Sequence, residues 1–271
     1  MEYGIALTPM IPMRADASEE SEMVNQLLFG DTFQILESKP RWFLIENLFD
    51  HERGWIDWKM ATLVTEDYIQ SLSAQPVYMV STPTADIYAK GMKAPIRLSM
   101  GSVLPGYHAE THSFEVDGQL FTVPSRSVRI QRPSYIKALL RSAELYLNTS
   151  YLWGARSIFG ADCSGFVQVV YRLHGINLPR NARQQILLGE PVADFADVRP
   201  GDLAFFEKTL GHVTHVGIVY TPNQILHCSG NVHIDKLTEE GIWSDSLKCY
   251  THPRPILRRF SELALRKKSL E

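Results

Sequence analysis

Short runs of apolar residues alternate with turn residues along the first half of the chain. Runs at intervals of about 8–12 residues are typical of a small β-barrel or sandwich. The cycle restarts after Ala74-Gln75-Pro76, so we expect two small all-β barrels, over residues 1–73 and 74–132. The predicted strands are Thr32–Glu37, Trp42–Glu46, Gly54–Asp57, Val77–Ser81, Ala85–Lys90, Ile96–Ser99, Phe114–Val116 and Leu120–Val123.

The pattern changes near residue 133. Apolar residues three and four positions apart predict a helix over Ser134–Leu147, capped by Ser134, and a second helix over Cys163–His174, ended by Gly175. Helices followed by antiparallel strands indicate an α+β domain over residues 133–271. Its predicted strands are Leu203–Phe206, His215–Tyr220 and Gln224–Cys228.

Composition and charge narrow the class of protein. Of 271 residues, 45% are hydrophobic and 21% are charged, and the formal net charge is −3, which argues against a nucleic-acid partner held by bulk charge. No apolar run approaches the roughly 18–20 residues that span a bilayer, and the first residues lack the basic segment of a secretory signal. We expect a monomer without a membrane span, cytoplasmic, or periplasmic or secreted if a leader has been removed.

Cys163 is the cysteine with a reason to be reactive. The three cysteines, Cys163, Cys228 and Cys249, are too few for a disulfide framework and contain no C-x-x-C spacing. Cys163 begins a predicted helix, where unpaired N–H groups favour a thiolate and stabilise an oxyanion. The position predicts a nucleophile with a lowered pKa, although a buried structural cysteine stays open as an alternative. Cys228 and Cys249 are predicted to be structural.

Two histidines in a predicted hairpin are candidates for the base and for the group that orients it. A nucleophilic thiol needs both. His215 and His227 flank a short turn, and a hairpin closed there would pair Tyr220 with Gln224 and Gly217 with His227. His215 would then lie diagonal to His227 on one face of the sheet, with Gly217 leaving room beside the pair. Either histidine alone is more typical of a surface or packing residue, whereas the pair on one face favours a functional role.

A zinc site is the alternative use of these histidines. His212 and His215 have H-x-x-H spacing, with His227 and Cys228 near in sequence. Residues three apart on a strand point to opposite faces, and no acidic residue stands alongside. We therefore predict no metal and no cofactor. The other histidines are expected at surface or packing positions: His51, His108, His112, His174, His233 and His252.

Five separated motifs occur in a fixed order: Y-L-W-G at 151–154, D-C-S-G-F at 162–166, L-P-R-N at 178–181 with Gln184 and Gln185, R-P-G-D-L-A-F-F at 199–206, and H-V-G-I-V-Y at 215–220 with I-L-H at 225–227. Residues 134–260 thereby resemble the catalytic domain of the NlpC/p60 cysteine peptidases, a papain-like family of bacterial cell-wall enzymes. The first half resembles paired bacterial SH3-like domains. Residues 12–15 and 21–30 are similar to the first such domain of a subgroup that recycles murein peptides.

The resemblance implies an α+β papain-like catalytic domain preceded by two small all-β SH3-like barrels. It makes Cys163 the nucleophile, His215 the general base and His227 the residue that orients His215. The residues that it implies for substrate binding are Tyr151, near the oxyanion, and Trp153, Asp162 and Ser164, along the peptide.

The resemblance also implies the bond that is cleaved, between γ-D-glutamate and a diamino acid of a murein tripeptide or tetrapeptide. In the recycling subgroup the first SH3-like domain walls off the cleft and selects a free N-terminal L-alanine. Glu22 is the candidate for binding that amine, because a desolvated ammonium needs a counter-charge; a loop glutamate is otherwise a solvated surface charge. The family commonly has Asp and Ser where this chain has Asn181 and Ala182, which weakens substrate hydrogen bonds from these positions.

Two other functions stay open. The chain could be a secreted hydrolase of intact peptidoglycan, with the SH3-like domains as wall anchors. It could also be a non-catalytic module that binds wall peptides, although the intact set of Cys163, His215 and His227 argues against this.

Overall fold

The structure is a computed structural model, and it describes residues 1–260. These residues form two compact units. Unit 1 contains Met1–Gln131 and Trp153–Phe159, and unit 2 contains Arg132–Leu152 and the described residues from Gly160 onward. Within residues 1–260, no helix is both long and apolar enough to cross a bilayer.

Unit 1 consists mostly of short antiparallel strands. Its elements are β1 (Glu2–Ala6), β2 (Met10–Arg14), β3 (Met23–Leu28), β4 (Thr32–Lys39), β5 (Trp42–Asn47), β6 (Arg53–Asp57), β7 (Ala61–Val64), α1 (Glu66–Ser73), β8 (Tyr78–Val80), β9 (Thr84–Ala89), β10 (Ile96–Ser99), β11 (Val103–Leu104), β12 (Ser113–Val116), β13 (Gln119–Thr122), β14 (Val128–Ile130) and β15 (Arg156–Ser157), with 3-10 helices at Trp58–Met60 and Ser125–Ser127.

Two apolar cores organise unit 1. The first seven strands form one sheet, in the order β3-β2-β6-β5-β4-β1-β7, around side chains such as Ile11, Phe33 and Ile45. The second core, around Phe114 and Phe121, lies among sheets of order β10-β9-β13-β12 and β11-β8-β14. Every strand predicted in this half is present within two residues of its predicted bounds.

The sequence pattern missed one helix in unit 1. Residues 66–73 form α1, whose start is capped by the Thr65 hydroxyl, which accepts a hydrogen bond from the N–H of Tyr68 at 3.2 Å. The prediction that the first half is β throughout is therefore wrong at this point. It failed because the eight-residue helix carries no fully buried side chain, so the apolar stripe that marks a helix is weak.

Unit 2 packs helices against one antiparallel sheet, as an α+β domain does. Its sheet has the order β17-β24-β18-β19-β20-β21-β22-β23. Its elements are α2 (Ile136–Glu144), β16 (Gly160–Ala161), α3 (Cys163–Leu173), α4 (Ala182–Gln185), β17 (Glu190–Val192), β18 (Leu203–Thr209), β19 (His212–Thr221), β20 (Gln224–Ser229), β21 (Asn231–Thr238), β22 (Gly241–Ser244), β23 (Cys249–Pro253) and β24 (Ile256–Arg259), with a 3-10 helix at Phe195–Asp197.

The helix α3 is the central helix of unit 2. All of its residues are buried, and it packs on β19 and β20. Gly175 follows it with φ of 78°, a left-handed conformation that favours glycine and ends the helix as predicted. The predicted cap of α2 is wrong: that helix begins at Ile136, and the hydroxyl of Ser134 instead contacts Nδ1 of the buried His174.

Candidate active site

Cys163 is the first residue of α3 and is only 6% exposed. Its Sγ lies 4.0 Å from the carbonyl oxygen of Thr214, and the backbone N–H of Val216 donates a hydrogen bond to it. Thr214 and Val216 stand on either side of His215 in β19. The helix start is therefore packed against the part of the strand that carries the predicted base.

The sulfur of Cys163 is protonated in the free enzyme. Burial raises the pKa of the Cys163 thiol to about 12, and the carboxylate of Asp162 adds to this effect. The N–H groups of Val216 and Ser164 and the guanidinium of Arg180 oppose it but are weaker. The lowered pKa predicted from the helix start is therefore wrong for the free enzyme, because the helix N–H groups do not offset the loss of hydration.

His215 and His227 form a direct pair. Nε2 of His215 lies 2.9 Å from Nδ1 of His227, and both rings are buried. The predicted pairing of Gly217 with His227 is confirmed. The predicted pairing of Tyr220 with Gln224 is wrong, because an irregularity after Val219 shifts the register by one residue at the turn.

Gly217 provides the space beside this pair, as predicted. A Cβ atom at this position would lie 2.8 Å from Cβ of His227 and 2.7 Å from Cδ1 of Ile225. Contacts this short force a neighbour to move, and both neighbours lie on the adjoining strand β20. Glycine is therefore required for His227 to keep its position.

Asp235, on the next strand, lies beside the histidine pair, and it was not among the residues predicted from the sequence. Strand β21 pairs with β20, with His233 opposite His227. Oδ2 of Asp235 lies 3.4 Å from Nε2 of His227 and 3.2 Å from Nε2 of His233. At 3.4 Å the contact with His227 is longer than a well-formed hydrogen bond, and the buried Nε2 of His227 has no other hydrogen-bond partner among the described residues. The contact with His227 is the main cause that lowers the pKa of Asp235, so this carboxylate stays ionised.

His252 packs on the predicted base. Its ring stacks on that of His215, with centroids 4.1 Å apart and planes at 26°, and the ring of Phe206 contacts it edge-on with centroids 5.6 Å apart. Burial lowers the pKa of His252 to about 4 and holds the pKa of His215 well below its usual value, helped by the neighbouring histidines. Both rings are therefore neutral at pH 7, and His215 can accept a proton.

The start of α3 is held by a buried arginine, Arg180, for which no role was predicted from the sequence. Arg180 donates hydrogen bonds to both carboxylate oxygens of Asp162, and a further one of 3.0 Å to the hydroxyl of Ser164. The same carboxylate caps α3 by accepting from the N–H of Gly165 at 2.7 Å. Asp162 and Ser164 thus hold Cys163 in place; their predicted contacts with a peptide stay predictions.

Tyr151 lies in unit 2, bridged to Ala161. Burial raises the pKa of the Tyr151 phenol, and Cys163 is the next contributor. The phenol is therefore protonated over the range in which an enzyme works, and it can donate a hydrogen bond to an anion. This fits the predicted place near the oxyanion, which stays a prediction.

Glu22 and Trp153, two predicted substrate residues far apart in sequence, meet in unit 1. Nε1 of Trp153 donates a hydrogen bond of 2.5 Å to Oε1 of Glu22, and both side chains are exposed. The segment that carries Trp153 is anchored by Arg156, which is fully buried and forms ion pairs with Asp31 and Asp50. The Trp153 indole therefore orients the Glu22 carboxylate.

One group of residues has its potential ligand atoms close enough together to hold a metal ion, and it differs from the H-x-x-H group considered in the sequence. The ligand atoms of His227, His233 and Asp235 all lie within 4.8 Å of one another, whereas His212 is exposed and lies outside this group. Two imidazoles that share one carboxylate have the same separations. We therefore assign no metal to these residues.

A buried cysteine at the start of the central helix, packed on a strand whose histidine pairs with a second histidine, defines the catalytic domain of a cysteine peptidase. Residues 148–251 match the NlpC/P60 family. These residues form a domain of that family, and the chain is similar to its cysteine peptidases.

Sequence similarity to known proteins extends beyond this domain. The chain is 29% identical over 212 residues to the gamma-D-glutamyl-L-lysine dipeptidyl-peptidase of Bacillus subtilis, covering 74% of this chain and 71% of the relative. It is 24% identical to dipeptidyl-peptidase 6 of Lysinibacillus sphaericus, covering 88% and 92%. A solved NlpC/P60 family protein from Bacillus cereus ATCC 10987 has the same fold, with a TM-score of 0.81 at 20% identity, covering 95% and 99% of the two chains.

Proposed function

We propose that the chain is an endopeptidase that hydrolyses the bond between γ-D-glutamate and a diamino acid in murein tripeptides or tetrapeptides with a free N-terminal L-alanine. The product is L-Ala-γ-D-Glu, and the role is recycling of cell-wall peptides. The observation that carries the proposal is the buried set of Cys163, His215 and His227 in a chain that aligns, over most of both lengths, with a relative named gamma-D-glutamyl-L-lysine dipeptidyl-peptidase.

The proposed chemistry begins from a neutral thiol and a neutral imidazole. His215 takes the proton of Cys163 as the sulfur attacks the γ-glutamyl carbonyl carbon. The N–H groups at the start of α3 and the phenol of Tyr151 donate hydrogen bonds to the oxyanion that forms. His215 then protonates the amine of the departing diamino acid, which leaves a thioester on the sulfur.

The second half of the reaction restores the enzyme. His215 removes a proton from water, and the hydroxide attacks the thioester carbonyl carbon. The carbon–sulfur bond breaks, the dipeptide leaves with a free γ-carboxylate, and the sulfur regains its proton from His215. A resting thiol that ionises only during attack is consistent with the burial that raises the Cys163 pKa.

We assign the selection of the free amine to Glu22. Its carboxylate is exposed and is oriented by Trp153, which follows Tyr151 by two residues in the chain. A carboxylate held in this way provides the counter-charge that an ammonium needs when it leaves water. We further propose that the two cores of unit 1 are SH3-like barrels, over residues 1–73 and 74–132, and that the enzyme is a cytoplasmic monomer that meets free peptides.

The experiment that tests this function compares three substrates. Products from L-Ala-γ-D-Glu-diaminopimelate, from its N-acetylated form and from intact sacculi are identified by mass spectrometry. We expect L-Ala-γ-D-Glu from the free peptide and little product from the other two. Strong release from sacculi with little from the free peptide would instead support a hydrolase of the intact wall.

A further inference from the structure

Titratable groups from three strands surround His227. His215 approaches from β19, His233 and Asp235 from β21, and His252 from β23, with ring centroids of His227 and His252 6.0 Å apart. Among these groups, Asp235 alone is an acid, and its side chain is 17% exposed. A carboxylate accepts hydrogen bonds only, so it imposes a direction on the protons of the rings beside it.

The position of each ring proton can be worked out in turn, from Asp235 through His227 to His215. Nε2 of His227 is the nitrogen that faces Asp235, at 3.4 Å, so the favoured neutral form of His227 carries its proton there. Nδ1 of His227 is then an acceptor, and Nε2 of His215, at 2.9 Å, must be the donor in that hydrogen bond. The remaining nitrogen of His215, Nδ1, is left without a proton.

That remaining nitrogen is the one a general base needs. If His227 carried its proton on Nδ1, the hydrogen bond with His215 would reverse, and the proton of His215 would move to Nδ1. The base would then have no lone pair to offer the thiol. Among the described groups on the far side of His227, Asp235 is the pure acceptor. Both ring nitrogens of His233 face acceptors of their own: Nδ1 lies 2.9 Å from the carbonyl oxygen of Asn231, and Nε2 lies 3.2 Å from Oδ2 of Asp235.

We propose that Asp235 is a positioning residue of the catalytic set, which acts through His227 to keep Nδ1 of His215 free of a proton. The inference rests on the proposed function, because it takes His215 as the base. Asp235 touches neither the sulfur nor the substrate. The charge of Asp235 also favours the reaction in a second way, because a negative charge beside the histidine pair stabilises the imidazolium that forms during attack.

The test compares Asp235→Asn and Asp235→Ala with the wild-type chain. Asparagine keeps an acceptor oxygen without the charge, whereas alanine removes both. Asp245→Asn is the matched control, because Asp245 is an exposed carboxylate of the same unit, 83% exposed, that contacts Lys248 rather than a histidine. Thermal melting of each variant identifies any that fail to fold.

Two measurements do not depend on the identity of the peptide. The first is the nitrogen-15 NMR shift of the His227 ring, assigned with His227→Gln, which reports the nitrogen that carries the proton. The second is the rate at which iodoacetamide alkylates Cys163, with the modified peptide identified by mass spectrometry because Cys249 is also a free thiol. A failure of the peptide assay alone would count against the proposed function and leave these two results intact.

We expect His227 to carry its proton on Nε2 in the wild type and to shift toward Nδ1 in Asp235→Ala. Alkylation and kcat should fall in the order wild type, Asp235→Asn, Asp235→Ala, by about 10- to 100-fold in the last, with KM nearly unchanged, because a base contributes about 10²- to 10⁴-fold. A folded Asp235→Ala with wild-type kcat and an unshifted His227 proton would overturn the proposal. Equal losses in both variants without an NMR change would also do so, since they indicate a structural role.

Discussion

Nε2 of His215 and Nδ1 of His227 are 2.9 Å apart, and the pairing of Gly217 with His227 across the hairpin sets this distance. The relationship is local, since the turn after Thr221 and the irregularity after Val219 together determine which residues oppose each other. It also depends on the absence of a side chain at Gly217, because a Cβ atom there would lie 2.8 Å from Cβ of His227.

Substitution Gly217→Ala should therefore impair catalysis more than folding. The new Cβ would push on Cβ of His227, 2.8 Å away, and on Cδ1 of Ile225. A displacement of about 1 Å in a catalytic set can cost about 100-fold, so we expect a loss of that order in kcat/KM. Steady-state kinetics with the free tripeptide measures it.

The control separates the two contacts. Ile225→Ala removes both Cγ1 and Cδ1, the two atoms of that side chain close to the new Cβ, and leaves His227 unchanged. It should keep kcat/KM near the wild-type value while costing about 2–5 kcal/mol of unfolding free energy. The double variant Gly217→Ala, Ile225→Ala should stay impaired. Recovery in the double variant would show that Ile225, and not His227, transmits the effect.

Glu22→Gln should weaken binding of peptides with a free amine. Glutamine can still accept the hydrogen bond from Trp153, but it no longer offers a charge to an ammonium. We expect KM for the free tripeptide to rise about 10-fold or more, since a charged hydrogen bond contributes about 1.5–3 kcal/mol, while the weak cleavage of the acetylated peptide stays the same. An unchanged ratio between the two peptides would remove Glu22 from substrate selection.

Arg156→Met should destabilise unit 1 strongly. Arg156 is fully buried and pairs with the equally buried Asp31 and Asp50, so its loss leaves two carboxylates without that counter-charge. Breaking such a pair costs about 3–5 kcal/mol, measurable by urea unfolding. Arg97→Met breaks an exposed pair with Asp86 and should change stability far less. Similar losses in the two variants would contradict the structural role given to Arg156.

His252→Phe should reduce the acid sensitivity of the fold. Burial lowers the pKa of His252 to about 4, below the value of about 6.5 for an exposed histidine. Between these values the unfolded chain binds the extra proton and the folded chain does not, so stability falls as pH drops from about 6.5 toward 4. Phenylalanine keeps the stacking on His215 and removes this titration, so the decrease in Tm between pH 7 and pH 5 should be smaller. An equal decrease would place His252 in a less buried setting.

Much of the candidate site could be predicted from the sequence because it is local. A short hairpin brings Gly217 opposite His227 as predicted, although an irregularity after Val219 shifts the pairing at the turn by one residue, and α3 begins at Cys163 as predicted. The pKa of Cys163 could not be predicted in the same way. It depends on how much of the thiol is removed from water, and that is decided by packing on β19 rather than by the helix start.

His233 and Asp235 were not predicted as site residues, for a different reason. His233 and Asp235 stand two residues apart on β21, and so on one face, but that strand was not predicted. An alternating H-x-D pair directly after the strand of His227 was the available signal. His252 was harder to find, because β23 reaches the site only after the chain has passed through β22.

The central claim is that the sulfur of Cys163 breaks the γ-glutamyl bond. Its most direct test is mass spectrometry of L-Ala-γ-D-Glu-diaminopimelate after incubation with the wild-type chain and with Cys163→Ala, once both have been shown to melt at similar temperatures. We expect release of L-Ala-γ-D-Glu by the wild type and none above background by the variant. Undiminished release of the dipeptide by a folded Cys163→Ala variant would contradict it.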